Sequence, residues 1–356
     1  MRDKEEIKEI LDYLQTTESE VLNFDEDAIA AACQKTTGQS LAIKILSVFG
    51  GILASLAFLG FLFISGVFES EAGMMIFGAI CIAGAIWIDK ASDKFIMDTI
   101  SVSSFIVGMI LLGFAFGETY MGGNEICVIF IVISLGSLAI VRSYVLSFIS
   151  VMMINGCILA LIIMNEAGEL IHIYVSALAL ATSYFFLMEA KIITTSKGLS
   201  QLYNPIRIGL IFSFLSGLIF LSIRHLFDMS FNYIWAPSIV IISTIMYLMS
   251  VLFRILHITK ELHKIGIYVL SLLILLPTAL SPAISGAILI TLLSFRVNYK
   301  TGLALGIIAF IYFISQYYYD LHFTLLTKSI LLFSSGVFFI VLYLLMHQKL
   351  KSNEKI

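Results

Sequence analysis

Between Leu41 and His347 the chain is a succession of apolar runs, most of them about as long as a bilayer is thick, and no Asp, Glu, Lys or Arg stands in the middle of any of them. About 20 apolar residues in helical form cross the ~30 Å hydrocarbon layer. No water is present there to satisfy backbone N–H and C=O groups, so each run must bond within itself as a helix. Transmembrane barrels use short alternating segments instead, and these long runs do not read that way. Composition agrees: 60% of the residues are hydrophobic, 13% are charged and the mean hydropathy is +1.01, whereas a soluble domain carries about a quarter charged residues. A water-soluble enzyme is thereby excluded. Four cysteines make no disulfide framework, and a formal charge of −3 gives no basic surface for nucleic acid. The first partner of this chain is the lipid bilayer.

Read between polar breaks, the runs predict an all-α polytopic transmembrane bundle of about twelve spans. They lie near 45–66, 72–88, 99–117, 126–141, 143–164, 170–188, 208–223, 234–253, 265–281, 283–295, 301–318 and 324–346. Basic residues test the count, because cytoplasmic loops hold the excess of Lys and Arg. With the first residues inside, all but two of the 21 basic residues, Arg224 and Lys328, fall in inner segments. One span more or fewer inverts every later loop and destroys this sorting. Both termini are therefore expected in the cytoplasm, with Trp87 near an inner span end and Trp235 near an outer one.

Residues 1–40 form the one long polar stretch, with 10 acidic side chains. Ile7, Ile10, Leu11 and Leu14 recur at helical spacing, and Asp25 is placed to cap a second short helix. So few residues cannot bury a core alone, which predicts a helical cytoplasmic head docked on the membrane part or on a partner. Residues 348–356 read as a basic cytoplasmic tail. The stretch 189–207 reads as the longest internal loop and divides the bundle, 41–347, into possible six-span halves, 41–188 and 208–347. That layout is the one of parallel-repeat transporters. Small residues four apart, Gly113/Gly117, Ala283/Ala287 and Gly302/Gly306, predict close helix approach.

Ionisable groups inside a membrane mark ion paths and relays, and none is predicted at mid-span. Lys44, Asp98, Glu189 and Lys328 lie within about two turns of a span end, where they can reach the interface. This disfavours a carrier driven through a mid-membrane carboxylate. Asn155 is the deepest strongly polar side chain; its first reading is a hydrogen bond to a neighbouring helix, its second a ligand contact. There is no HExxH, GxSxG, phosphate-binding loop or CxxC, so no catalytic residue, cofactor or metal is expected. Cys81, Cys127 and Cys157 read as small apolar residues within spans. His172, His225 and His322, near Glu169, Asp228 and Asp320, suit zinc only if three separate outer loops converge.

Two stretches stand out. Tyr317-Tyr318-Tyr319-Asp320 leads through Thr324 to Lys328 across the predicted last outer turn. Three consecutive helical residues sweep about 200°, so at least one tyrosine must face the bundle. Asp320 and Lys328 are expected to pair and fix that hairpin, or else to form an outer ligand or partner site. Pro277 and Pro282, followed by Ser285, interrupt the helical ladder between the ninth and tenth spans. They read as a tight outer hairpin, or as a broken helix exposing backbone to a substrate.

The segment YYYDLHFTLLTKSILLFSSGVFFIVLYLL, with Tyr317 to Leu321, Thr324 to Leu326, Lys328-Ser329 and Gly336, resembles the ending of a bacterial family of multi-pass membrane proteins, domain of unknown function 4401. The resemblance implies a bacterial inner-membrane protein and no catalytic residue. It also implies a shared envelope complex, because such proteins are encoded near another polytopic protein and a small anchored protein with a GDYxxLxY motif. Three functions are thus expected in descending order. The first is a non-enzymatic component of an envelope complex with other membrane proteins, the second a transporter or lipid-handling protein with a site between the halves. The third is an enzyme at the outer face.

Overall fold

The computed structural model describes residues 41–91, 95–119, 121–141, 143–223, 233–255 and 261–320, with scattered positions between 326 and 344. The predicted head (1–40), the basic tail (348–356), Thr324 and Lys328 lie outside the described residues. All regular structure among the described residues is helical. Two compact units divide after Glu118.

The first unit holds α1 (Leu41–Ile64), α2 (Glu71–Ala91) and α3 (Phe95–Glu118). Gly66 follows α1 in the left-handed region, at φ 79°, where an L side chain is strained. The α2–α3 seam is close because it is lined by small residues. A Cβ on Gly108 would stand 2.8 Å from the Gly78 carbonyl oxygen. Ser101 Oγ donates to the Ala85 carbonyl at 2.7 Å and Ser104 Oγ to that of Cys81 at 2.8 Å. The seam is built on Gly78 and Gly108; of the expected pair Gly113/Gly117, Gly117 faces open space. Spacing finds small residues but not the side of the helix that meets a neighbour.

The second unit holds α4 (Gly123–Ile140), α5 (Tyr144–Met164), α6 (Leu170–Leu187), α7 (Glu189–Thr195), α8 (Lys197–Ser222), α9 (Trp235–Ile255), α10 (Glu261–Leu275), α11 (Pro282–Arg296) and α12 (Lys300–Asp320). Helix α8 is its hub, packing on α5, α6, α7, α11 and α12. Its Phe214 and Leu218 are fully buried. A Cβ on Gly286 of α11 would press on Leu218, and one on Gly209 of α8 on Val151 of α5. At the α11–α12 crossing, Gly302 and Gly306 do bring the helices together, against Ser294 and Thr291. Many span hydroxyls bond back to their own helix, as Thr244 does to Val240 and Thr291 to Ala287, which satisfies them without a partner.

Each of the first eleven predicted segments overlaps a helix, and eight helices are long and apolar enough to cross a membrane. The predicted loop 189–207 is not a loop. Helix α7 occupies its first part and α8 begins at Lys197, where the Ser196 hydroxyl accepts the Leu199 N–H at 3.2 Å as an N-cap. Apolar runs mark only the hydrocarbon-embedded part of a helix, so a polar extension of the same helix reads as loop. The helices flanking this stretch, α6 and α8, pack directly on one another.

Candidate functional site

Lengthening α8 toward its start changes the place of Arg207. On the sequence it stands in an inner loop one residue before a span; in the structure it lies inside α8, with only 7% of its side chain exposed. The sequence puts no Asp, Glu, Lys or Arg at mid-span and sets Arg207 just outside a span, whereas the helix apolar enough to cross a membrane runs from Gly198 to Ser222 and carries Arg207 buried within it. An isolated guanidinium in such a place is costly, and the surrounding chain supplies compensation. Nη1 donates to Glu189 Oε1 at 3.1 Å, and Nη2 to Asn204 Oδ1 at 2.7 Å. The guanidinium carbon lies 3.8 Å from the ring centroid of Tyr299, 4.9 Å from that of Tyr203 and 5.6 Å from that of Phe186. Each face contact adds attraction of about 0.5–2 kcal/mol.

Local structure places every member. Tyr203, Asn204 and Arg207 share one face of α8 because residues three and four apart are neighbours on a helix. Pro205 lies between them and donates no N–H to the ladder. The Tyr203 ring is buried and stacked on Phe185 at 6.3 Å, its hydroxyl donating to the Phe185 carbonyl at 3.2 Å. Phe186 is the last residue but one of α6, and Glu189 opens α7 two residues after α6 stops. Tyr299 comes from the turn between α11 and α12. Asn298 adopts φ 55° there, and the Tyr299 N–H bonds to the Ser294 carbonyl at 2.8 Å. The box therefore ties together the ends of α6 and α7, the middle of α8 and the α11–α12 turn. Glu189 is 30% exposed and forms its open side. Two of the guanidinium nitrogens are thus hydrogen-bonded, while the buried Nε has no partner among the described residues. The arrangement is that of an electrostatic brace.

A family model described as Domain of unknown function (DUF4401) matches residues 40–349. The chain belongs to the DUF4401 family. No curated protein and no solved structure matches it.

In this DUF4401 protein the residues singled out on the sequence do not gather in one place. Asn155 of α5 donates through Nδ2 to the Val151 carbonyl of its own helix at 2.9 Å; its contact with a neighbouring helix is through the backbone, whose carbonyl accepts from Tyr174 of α6 at 3.4 Å. Pro277 lies in a 3-10 helix, Leu276–Leu280, and Pro282 is the first residue of α11. The stretch is tightly packed: Pro282 is buried, Ser285 is fully buried with Oγ on the Pro282 carbonyl at 3.1 Å, and Ser238 of α9 donates to the Thr278 carbonyl at 3.5 Å. Of the three tyrosines, Tyr317 packs on the core of the second unit, while Tyr318 and Tyr319 contact edge to face at 6.0 Å. Tyr319 is 77% exposed. Asp320 is the last residue of α12, and its side chain is outside the described residues. Among the described residues no group of three His, Cys, Asp or Glu is arranged to hold a metal. His172 is buried in α6, and His225, Asp228 and His322 lie outside the described residues.

Sequence reasoning missed the box because its members come from four segments, two of them assigned to a loop. One signal was available: Glu189, Asn204 and Arg207 are three polar partners inside one stretch bounded by spans, with an N-cap serine at 196.

Proposed function

We propose that this chain is a non-enzymatic structural component of a bacterial inner-membrane envelope assembly, crossing the bilayer about twelve times with both termini in the cytoplasm. The observation that carries this reading is the set of contacts that hold Arg207 in place. A charge that drives transport must meet its cargo or exchange partners, whereas Arg207 is held at once by Glu189, Asn204 and three rings. The packing of Pro282 and Ser285, and the bond from Asn155 to its own helix, favour the same conclusion over a substrate path through those residues. Sorting of all but two basic residues to one side supports the orientation. The Tyr317–Lys328 corner then faces outward, where the exposed Tyr319 is available to a partner.

Tagged chain at native expression, extracted in mild detergent and passed over a sizing column, should carry a stoichiometric membrane-protein partner. A monodisperse chain without partner, together with substrate flux in reconstituted vesicles, refutes the proposal. Orientation is checked separately by labelling Tyr319→Cys with an impermeant maleimide on spheroplasts; protection until the membrane is opened refutes it.

A second reading, a transporter or lipid-handling protein, draws support from the same residue, because a buried Arg within a membrane segment is rare and usually functional. It requires Glu189 to release Arg207 during a cycle. Substrate flux that is lost in Arg207→Met while the protein stays folded would favour it.

A further inference from the structure

The end of the second unit that carries the Arg207 box holds more positive charge than the box uses. Ser238 at the start of α9 meets Thr278 just before α11, so α9 and α11 run side by side and Glu261, which opens α10, lies at this same end. Between Tyr144 and Asp320 the chain places only two carboxylates here, Glu189 and Glu261. Both are engaged, Glu189 with Arg207 at 3.1 Å and Glu261 with Lys264 at 2.8 Å. Arg296 and Lys300 flank Tyr299 on the α11–α12 turn, and neither has a carboxylate partner among the described residues. The turn is tight: the Val297 N–H bonds to the Leu293 carbonyl at 3.3 Å and the Asn298 N–H to the Phe295 carbonyl at 3.2 Å. Lys300 is exposed, and the first turn of α12 holds no acidic side chain to offset it. Arg296 is partly exposed, yet its Nη1 is shut off from solvent without a hydrogen-bond partner among the described residues. A charged donor left without an acceptor is costly.

Beside these cations the surface is apolar. Phe295, next to Arg296, is 72% exposed. Leu292 and Ile288 are partly exposed, and they share its side of α11, standing three and seven residues before it. Most of the remaining α11 side chains are buried. A ligand reaching this turn therefore meets two cations at the end of the helices and an apolar strip leading away from them along α11.

We propose that the α11–α12 turn is a binding site for an anionic phospholipid. Its phosphodiester is held between Arg296 and Lys300, and one acyl chain lies along Phe295, Leu292 and Ile288. A guanidinium presents a planar fork that matches two phosphate oxygens, and basic pockets at helix ends of membrane proteins take such headgroups. The Arg296 side chain, partly exposed already, swings outward to bring Nη1 to that acceptor. Charge selects the headgroup, and the apolar strip separates a lipid from a free phosphate ion. The site requires α11 and α12 to end at a membrane surface, whichever side of the membrane that is. Its failure therefore leaves the envelope-component reading standing, and a reversed orientation leaves the site standing.

The test uses the full chain in dodecyl maltoside micelles, with dioleoyl phosphatidylglycerol or dioleoyl phosphatidylcholine added at equal concentration and retained lipid read by native mass spectrometry. The parent should retain phosphatidylglycerol in clear preference. Each cation near a headgroup contributes roughly a factor of five in affinity, so Lys300→Gln should weaken phosphatidylglycerol binding about fivefold and Arg296→Gln at least as much. Phosphatidylcholine binding should stay as in the parent for both. Phe295→Ser should weaken both lipids, and excess inorganic phosphate should displace neither. Lys90→Gln, which removes an exposed cation in the last turn of α2, should change nothing. Any of three results overturns the proposal: equal retention of the two lipids by the parent, a loss in Lys90→Gln as large as in Lys300→Gln, or displacement of the lipid by inorganic phosphate. Because Lys300 is exposed, its variant decides the matter even if Arg296→Gln fails to fold.

Discussion

Breaking the Arg207–Glu189 pair from its two ends should give unequal results. Glu189→Gln keeps the shape of the side chain but leaves a guanidinium that is 7% exposed without its counter-charge. Removing one partner of a fully buried pair costs roughly 3–5 kcal/mol. Here the carboxylate is 30% exposed, and Asn204 and three rings still hold the cation. The expected loss is therefore nearer that of one charged hydrogen bond, about 2 kcal/mol. Arg207→Met removes the charge together with its desolvation and fills the aromatic cage with a flexible apolar chain. Glu189 can then turn to water, and Asn204, exposed at the surface, does the same. Replacing a buried ion by an apolar residue is often nearly neutral. Against the lost cation–π attraction the net cost is about 1 kcal/mol or less. The double variant should resemble Arg207→Met alone, which amounts to a coupling of about 1.5–2 kcal/mol. Unfolding by SDS titration in mixed micelles, with all four proteins compared, measures each term. Arg207→Met costing more than Glu189→Gln, with coupling below about 0.3 kcal/mol, would show that the ion pair is not what holds the box.

Other sites give sharper structural contrasts. Gly108→Val drives a side chain toward the Gly78 carbonyl and Ile82, and should cost about 1–3 kcal/mol by overpacking; Gly117→Ala, facing open space, should lie within about 0.5 kcal/mol of the parent in the same titration. Asn124 of α4 and Asn165, just past the end of α5, exchange amide hydrogen bonds at 2.8 and 2.9 Å; Asn124→Ala and Asn165→Ala should each cost about 1 kcal/mol, and the double variant far less than twice that, whereas additive losses argue against the reciprocal pair. Tyr299→Leu should cost about 1–2 kcal/mol when Arg207 is present and clearly less in the Arg207→Met background, because the ring's closest cation, 3.8 Å away, is then gone.

Much of the fold was legible because lipid leaves the backbone few choices. The breaks at Arg142 and before Pro282 could be read from a single basic residue and a single proline, and α5 and α11 begin within a few residues of them. Packing faces were less legible. Gly302 and Gly306 lie against α11 as their spacing suggests, but an identical spacing at Gly113 and Gly117 does not place Gly117 on a neighbour, while the closest approach of α2 and α3 rests on Gly78 and Gly108. Spacing along one helix is local, whereas contact depends on a second helix whose rotation no local pattern records.

The Arg207 box was hidden for a related reason. A charge next to an apolar run is ambiguous: it marks the end of a helix if the chain turns there, and a buried group if the helix continues. The difference lay in Ser196, whose hydroxyl starts α8 well before its apolar part. It lay also in Tyr299, which reaches Arg207 from a turn far along the chain. Once α8 is extended back to Lys197, the charge has to be compensated, and Glu189 and Asn204 are polar groups close enough in sequence to do it. Apolar-run analysis treats every polar residue as a boundary, so it locates the hydrocarbon slab well. For the same reason it sets aside a polar residue that a helix carries inside, and such a residue is where a membrane protein must spend specific chemistry to stay folded.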